Sequence, residues 1–348
     1  NLVNDIAFNA GLNAGAFDVY NSQGLSVADW SAVAIGYYKT VAHTGIFDVK
    51  NVRNLFDGNI GGELWYSDSM LLSMVAGAEL EKTDFQLLSD PESGAGFISG
   101  GAGGNDVIAD LERTTAYAEI ALDMDFGVEL SGAIRYDKYD QNGDVGGGEI
   151  LNKTFDDTTY MVTLAWRPID NLLLRAVTGT AFRAPTMNNL FSSRTFGFPP
   201  GYDYYFCDTQ GNAATEPVYC DATNNPQILT YGGGNPTLDS ETADTMNIGF
   251  VWQVTDNFSV EAGWYDISYK DKIVGISLNT LLLLNQAAGG DTSAVVRGPD
   301  GKIISVQSGT VNLAMQETDG IDMAFSYSLN TDRAGTFVFQ GDATKVLN

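Results

Sequence analysis

Polar and apolar residues alternate along most of this chain. From Thr115 to Asp123, Ala116, Ala118, Ile120 and Leu122 share one face, while Tyr117, Glu119 and Asp123 share the other. From Val128 to Asp137 the apolar face is Val128, Leu130, Gly132, Ile134 and Tyr136, opposed by Glu129, Ser131, Arg135 and Asp137. The same period returns in Tyr160, Val162, Leu164 and Trp166, in Met246, Ile248, Phe250 and Trp252, and in Phe258, Val260, Ala262 and Trp264. A period of two over strand-length stretches predicts β-strands with one face in an apolar medium. Helix-period stretches are scarce, so the chain reads as antiparallel and all-β.

The connections alternate between short and long. Short turns are predicted at 67–69, 124–127, 168–171, 254–257 and 330–335, and long links at about 83–112, 139–157, 184–243 and 271–317. Hairpins then have all their tight turns at one end and all their loops at the other. With strands of ~10 residues, that asymmetry is the signature of a transmembrane β-barrel with short periplasmic turns and long extracellular loops. Tyr136, Trp166, Trp252, Phe258 and Tyr327 lie near strand ends on the outward face, where aromatic girdles belong. A soluble sandwich or propeller is the competing reading. Against it stand one-sided loops of about 45–60 residues, uncommon in compact domains, and the lack of a self-similar repeat of about 40–50 residues.

Composition narrows the function. The 348 residues hold 18 Lys and Arg against 44 Asp and Glu, a net charge of −26, so a phosphate backbone would be repelled and no nucleic-acid partner is expected. One His and two Cys cannot build a zinc cluster, and no metal site or cofactor is expected. The longest nearly apolar run, Met70 to Ala78, is far short of the ~20 residues of a membrane-spanning helix. With 44% apolar residues the chain can bury a core. The first residues carry no signal-peptide pattern, and the last stop within what reads as a strand. The sequence is therefore expected to be a single barrel domain over 1–348, cut from a longer protein.

Candidate chemistry is sparse. His43 is the sole imidazole, no Gly-x-Ser-x-Gly elbow accompanies it, and it reads as a structural or solvated residue. Two segments resemble calcium motifs. Asp137 to Asp144 has clustered oxygen donors but lacks the Gly and Glu of an EF-hand, and Asn142-Gly143 reads better as a tight turn. Gly100 to Asp106 resembles one glycine-rich calcium repeat, but such repeats bind only when stacked. Cys207 and Cys220 lie in the longest loop, 184–243. In an external loop of an exported protein they form a disulfide; in a cytosolic one they stay free thiols. The same loop holds Phe196, Phe198, Tyr202, Tyr204, Tyr205 and Phe206, six aromatics in eleven residues. They are either a platform on which a ligand stacks or a set that packs together to order the loop.

Two blocks carry a family resemblance. Gly179-Thr-Ala-Phe182-Arg183-Ala-Pro185-Thr-Met-Asn-Asn-Leu190-Phe191, followed after a variable loop by Gly234-Asn235-Pro236-Thr-Leu238-Asp-Ser-Glu241-Thr242, resembles the paired blocks of TonB-dependent outer-membrane receptors. Arg135 to Tyr139, Trp166 to Asp170, Asp266 to Ile273 and Glu317 to Asp322 support it, so the likeness covers about residues 60–348. The resemblance implies a 22-stranded barrel closed by an N-terminal plug, of which about a dozen strands are counted here and no plug or TonB box. It implies Phe182, Arg183, Pro185, Asn235, Pro236, Leu238 and Glu241 as barrel-organising residues, none of them catalytic. The implied function is import of a scarce ligand, possibly carbohydrate or ferric siderophore, with energy relayed by TonB. The implied partners are the TonB complex, a small-molecule or oligomeric ligand, outer-membrane lipid and lipopolysaccharide. A passive porin is the alternative, and a β-rich outer-membrane enzyme a third reading.

Overall fold

The alternation resolves into ten long strands in a computed structural model, which describes residues 2–14, 16, 25–95, 97–99, 106–144, 149–209, 216, 218–221, 223, 225–290 and 293–348. In chain order they are β1 (Phe47–Ser67), β2 (Met70–Ser89), β3 (Val107–Met124), β4 (Val128–Asp144) and β5 (Ile150–Ile169). There follow β6 (Leu172–Arg183), β7 (Glu241–Thr255), β8 (Phe258–Gly275), β9 (Thr310–Thr331) and β10 (Gly335–Val346). Every strand pairs antiparallel with its sequence neighbours, so sheet order equals chain order and β1 and β10 form the edges.

All five short turns fall where the pattern places them. At 124–127 the Gly127 N–H donates to the Met124 carbonyl at 2.9 Å. Its φ of +80° and the Arg167 carbonyl 2.6 Å from where a Cβ would sit both require glycine.

The long links are shorter than expected, and one of them is not long. β2 runs on to Ser89 and β3 begins at Val107; β4 continues to Asp144 and β5 starts at Ile150, reducing the expected 139–157 link to 145–149. The outward face explains the difference. Below Leu80, Tyr136 and Tyr160 it is apolar; above them it carries Lys82, Glu112, Lys138, Asp140 and Asp156, so the alternation of hydrophobicity stops although the strands continue. Cross-strand charge pairing takes over, with Lys82 Nζ 3.0 Å from Glu112 Oε1 and the Thr154 hydroxyl donating to Asp140 Oδ1 at 2.7 Å.

The opposite face is polar throughout its middle. Arg113 bridges Glu79 at 3.1 Å and Glu81 at 2.8 Å, Arg53 reaches Glu81 at 2.8 Å, and Arg135 reaches Glu79 at 3.3 Å while donating to Asp137 Oδ2 at 2.7 Å. Four strands are thus laced by one ionic ladder. Asp137 faces this side and Asp140 the other, so the donors of the calcium-like segment cannot converge. The Gly100 to Asn105 stretch lies outside the described residues; no group of three or more His, Cys, Asp or Glu placed for a metal occurs among those described.

The residues of the two blocks form a knot at the loop end of β2–β8. Thr186 caps the short helix Met187–Phe191 through a capping box with Asn189. That helix sets Leu190 and Phe191, both fully buried, against Val107, Ala109, Phe155 and Leu238, with Phe182 and Tyr139 packed alongside. The buried Pro185 offers its carbonyl to Gln141 Nε2 at 2.8 Å. Arg183 and Glu241 are register partners joined as an ion pair, and the other Glu241 oxygen accepts the Ile273 N–H at 2.5 Å, tying β6, β7 and β8 together. Asn235, just before Pro236, donates through Nδ2 to the Thr310 carbonyl at 2.9 Å and accepts Thr237 N–H at 2.9 Å.

Asn142-Gly143 is not a turn. Both residues lie inside β4, and Gly143 is needed because a Cβ there would stand 2.2 Å from Phe191 Cγ. Gly143→Ala is expected to destabilise the loop end by about 1–3 kcal/mol through overpacking, read as a lower denaturation midpoint, whereas Gly132→Ala, whose Cβ would meet Ile120 Cγ1 at an ordinary contact of 4.0 Å, leaves the midpoint within error.

Candidate functional site

Two links, 184–240 and 276–309, fold into one cap above β6–β9. Its frame is a four-stranded sheet in the order Thr195–Gly197, Thr230–Gly232, Ile303–Gln307, Val295–Arg297, so two strands from each link are joined by the parallel pairing of Thr230–Gly232 with Ile303–Gln307. Ser277 caps the helix Leu278–Ala287 by accepting Thr280 N–H. Its Leu278 and Leu282 are buried with Ile228, Val295 and Val306. A second cluster joins Phe206 and Tyr219 to the Cys207–Cys220 disulfide, whose Cα atoms are 5.6 Å apart.

An ion pair holds the two links to each other. The Arg297 guanidinium grips Asp203 with two hydrogen bonds of 2.7 and 2.9 Å and also donates to Asn285 Oδ1 at 2.6 Å. Asp203 is 1% exposed and accepts the Tyr219 hydroxyl at 2.9 Å, while the Tyr219 oxygen accepts Ile303 N–H at 2.9 Å. Burial pushes the Tyr219 phenol well above its ordinary range.

The six aromatics of the loop divide. Phe206, 5% exposed, meets the Tyr219 ring edge-on at 5.4 Å. Tyr202 and Tyr204 pack edge-on at 5.1 Å, Tyr202 against the disulfide cluster and Tyr204 against the helix cluster. Burial raises the Tyr202 phenol too. Tyr205 lies under Arg297, 5.0 Å from ring centroid to Cζ. Phe196 and Phe198 instead stand 40% and 54% exposed, their rings 6.3 Å apart and edge-to-face. Strand alternation puts Arg194 on their side. Its guanidinium stacks 3.8 Å over Tyr231, the cross-strand partner of Phe196. Sequence reading missed Arg194 and Tyr231. The i, i+2, i+4 spacing of Arg194, Phe196 and Phe198 was a signal; Tyr231 is brought in by a pairing that no local pattern reveals.

His43 is spent on structure. Nε2 lies 2.9 Å from Asp90 and Nδ1 2.9 Å from Glu92, so neither ring nitrogen is free to act as a base. Hydrogen bonds from the Ile46 N–H and from Ser93 hold the Asp90 carboxyl well below the usual carboxylate range. Through this contact the short strand Ala42–His43 is clasped to the link between β2 and β3.

Arg297→Met should leave Asp203 charged and unpaired, costing the cap about 3–5 kcal/mol. Hydrogen exchange is expected to show lost protection in Leu278–Ala287 and Ile303–Gln307 with β2–β5 unchanged; equal loss in both regions would mean that cap and wall unfold as one.

The family model described as "TonB dependent receptor-like, beta-barrel" matches residues 2–346, extending the likeness well before the residue 60 at which the sequence blocks begin. No curated protein matches the chain by sequence. Among solved structures, the hemophore receptor HasR of Serratia marcescens aligns with a TM-score of 0.55 and 13% identity, covering 87% of this chain and 42% of that one. The ferric enterobactin receptor PfeA of Pseudomonas aeruginosa aligns with a TM-score of 0.54 and 16% identity, covering 87% of this chain and 36% of that one. The siderophore receptor PirA of Acinetobacter baumannii gives 0.50 and 16%, covering 85% and 37%. This chain thus spans less than half the length of the receptors it resembles.

Proposed function

This chain belongs to the TonB-dependent receptor-like β-barrel family, and on that premise we propose that it forms the wall and outer cap of a receptor that captures a scarce ligand and imports it with energy relayed by TonB. The family's barrels lie in the outer membrane of Gram-negative bacteria, and they are receptors rather than enzymes. Capture is the step assigned to the described residues. The supporting observation is the open set of Phe196, Phe198, Arg194 and Tyr231, three rings and a guanidinium that no carboxylate engages among the described ion pairs. In a chain with a net charge of −26 such a guanidinium favours a ligand that presents a flat face and partial negative charge. A ferric siderophore fits that description best, in keeping with the siderophore receptors among its structural neighbours, and a carbohydrate is the second ligand class. Tyr202, Tyr204, Tyr205 and Phe206 serve by holding the platform's frame rigid. Outer-membrane lipid and lipopolysaccharide surround the wall, and the TonB complex acts from the periplasmic side.

The full-length receptor, expressed in a Gram-negative host stripped of its own receptors, should accumulate iron from at least one ferric siderophore of a mixed catecholate, hydroxamate and carboxylate panel, and only when TonB is present. Phe196→Ala with Phe198→Ala should weaken binding about 5–150-fold, the loss of two stacking contacts of ~0.5–1.5 kcal/mol each. Uptake that persists without TonB would replace the receptor by a passive porin.

A further inference from the structure

One concavity of the wall faces away from the cap and the polar face. It is a groove of about 510 Å³ on the outward side of β5–β9, lined by Leu164, Trp166, Phe250, Ala262, Trp264 and Ile321, among others. Its floor is set by small residues. Ala176 and Ala262 bring the backbone of Gly249 and Gly263 to the surface, while Trp166 and Trp264 stand as walls on either side.

Position identifies what fills it. On β8 the lining residues Ala262 and Trp264 stand four and six residues beyond the first residue of the strand, Phe258. At ~3.3 Å per residue and a tilt near 45°, that is about 9–14 Å above the turns, the depth at which a chain anchored on the periplasmic side ends near the middle of an apolar band ~25 Å tall. Hydrocarbon is the medium at that depth, and the lining is almost wholly carbon. A bilayer in contact with a smooth wall exchanges its chains freely; a groove with two indole walls offers one chain extra van der Waals contact along its length, at ~0.1–0.2 kcal/mol for each well-placed pair of carbons.

We propose that this groove is a lipid site that seats one acyl chain of a phospholipid of the periplasmic leaflet and retains it against exchange with the surrounding bilayer. Leu164, Trp166, Ala262 and Trp264 make the seat. The site rests on the wall's place in the membrane and stands independently of which ligand the receptor imports.

The test uses the full-length receptor purified from outer membranes in detergent and examined by native mass spectrometry. The wild type is expected to carry one phospholipid through repeated detergent exchange. Ala262→Leu fills the floor and should lower the bound fraction about ten-fold, the effect of denying the chain about ten carbon–carbon contacts of ~0.1–0.2 kcal/mol each. Ala118→Leu, on the outward face of β3 and outside the groove, should leave it unchanged. Heat-modifiable migration on gels verifies that each variant is a folded barrel. A second measurement needs no groove-filling variant: a phospholipid with brominated tails, added near one per receptor, should quench Trp264 fluorescence, and Trp264→Phe should remove that component. No retained lipid, equal retention in both alanine variants, a bound polypeptide in place of lipid, or no quenching of Trp264 would each overturn the proposal.

Discussion

Hydrocarbon offers no partner for a backbone N–H or carbonyl, and the rest of this structure follows from that constraint. A wall that meets it must pair every strand with its neighbours, which is why ten strands run as an uninterrupted meander with sheet order equal to chain order. Side chains then alternate between lipid and interior, so the outward positions are apolar and the inward ones can carry Arg53, Glu79, Glu81 and Arg113 at little cost. β1 and β10 are not bonded to each other, and inside a bilayer their outer rows of backbone groups require further strands to meet them.

The same strands obey a second rule above the membrane. Once past the belt, the outward face is wet, and pairing by charge replaces contact with lipid; Lys82 with Glu112 and Lys270 with Asp244, 2.9 Å apart, are of this kind. Exposed pairs of this type contribute little each. What keeps the strands extended there is the continuous backbone ladder and the knot of Leu190, Phe191 and Leu238 seated against their inner side. The wall therefore ends where packing ends, several residues beyond the place where the hydrophobic pattern does.

That difference measures what the sequence could disclose. Strand existence, hairpin turns and outward faces were legible because alternation is a local property that the membrane enforces. Strand ends at Ser89, Asp144 and Ile150 were not, because charge-paired strand and polar loop look alike one residue at a time. Asn142-Gly143 carried a turn signature, yet Gly143 serves the close approach of Phe191 from a segment almost fifty residues away. The disulfide followed from two cysteines in one external loop. The split among the six aromatics did not, since Phe206 packs on Tyr219 from another part of its own link and Tyr204 on the cluster of Leu282 and Val306 from the second link.

The cap's attachment bears on how a binding event could reach the wall. Both links enter and leave through the ends of β6, β7, β8 and β9, and three contacts clamp those ends: Arg183 with Glu241, Glu241 with the Ile273 N–H, and Asn235 with the Thr310 carbonyl. Arg297 and Asp203 lock the two links together, so the platform of Phe196, Phe198, Arg194 and Tyr231 is carried on a body that moves as one piece or stays still. A ligand can shift an equilibrium only by the difference in its affinity for the two states. A rigid platform joined to four strand ends at those clamps leaves few places for such a difference to arise. They are the platform's own face, where ligand replaces solvent, and the clamps themselves. Arg183, Asn235 and Glu241 sit at the second of these places, and on the capture role proposed above the link between them supplies the first.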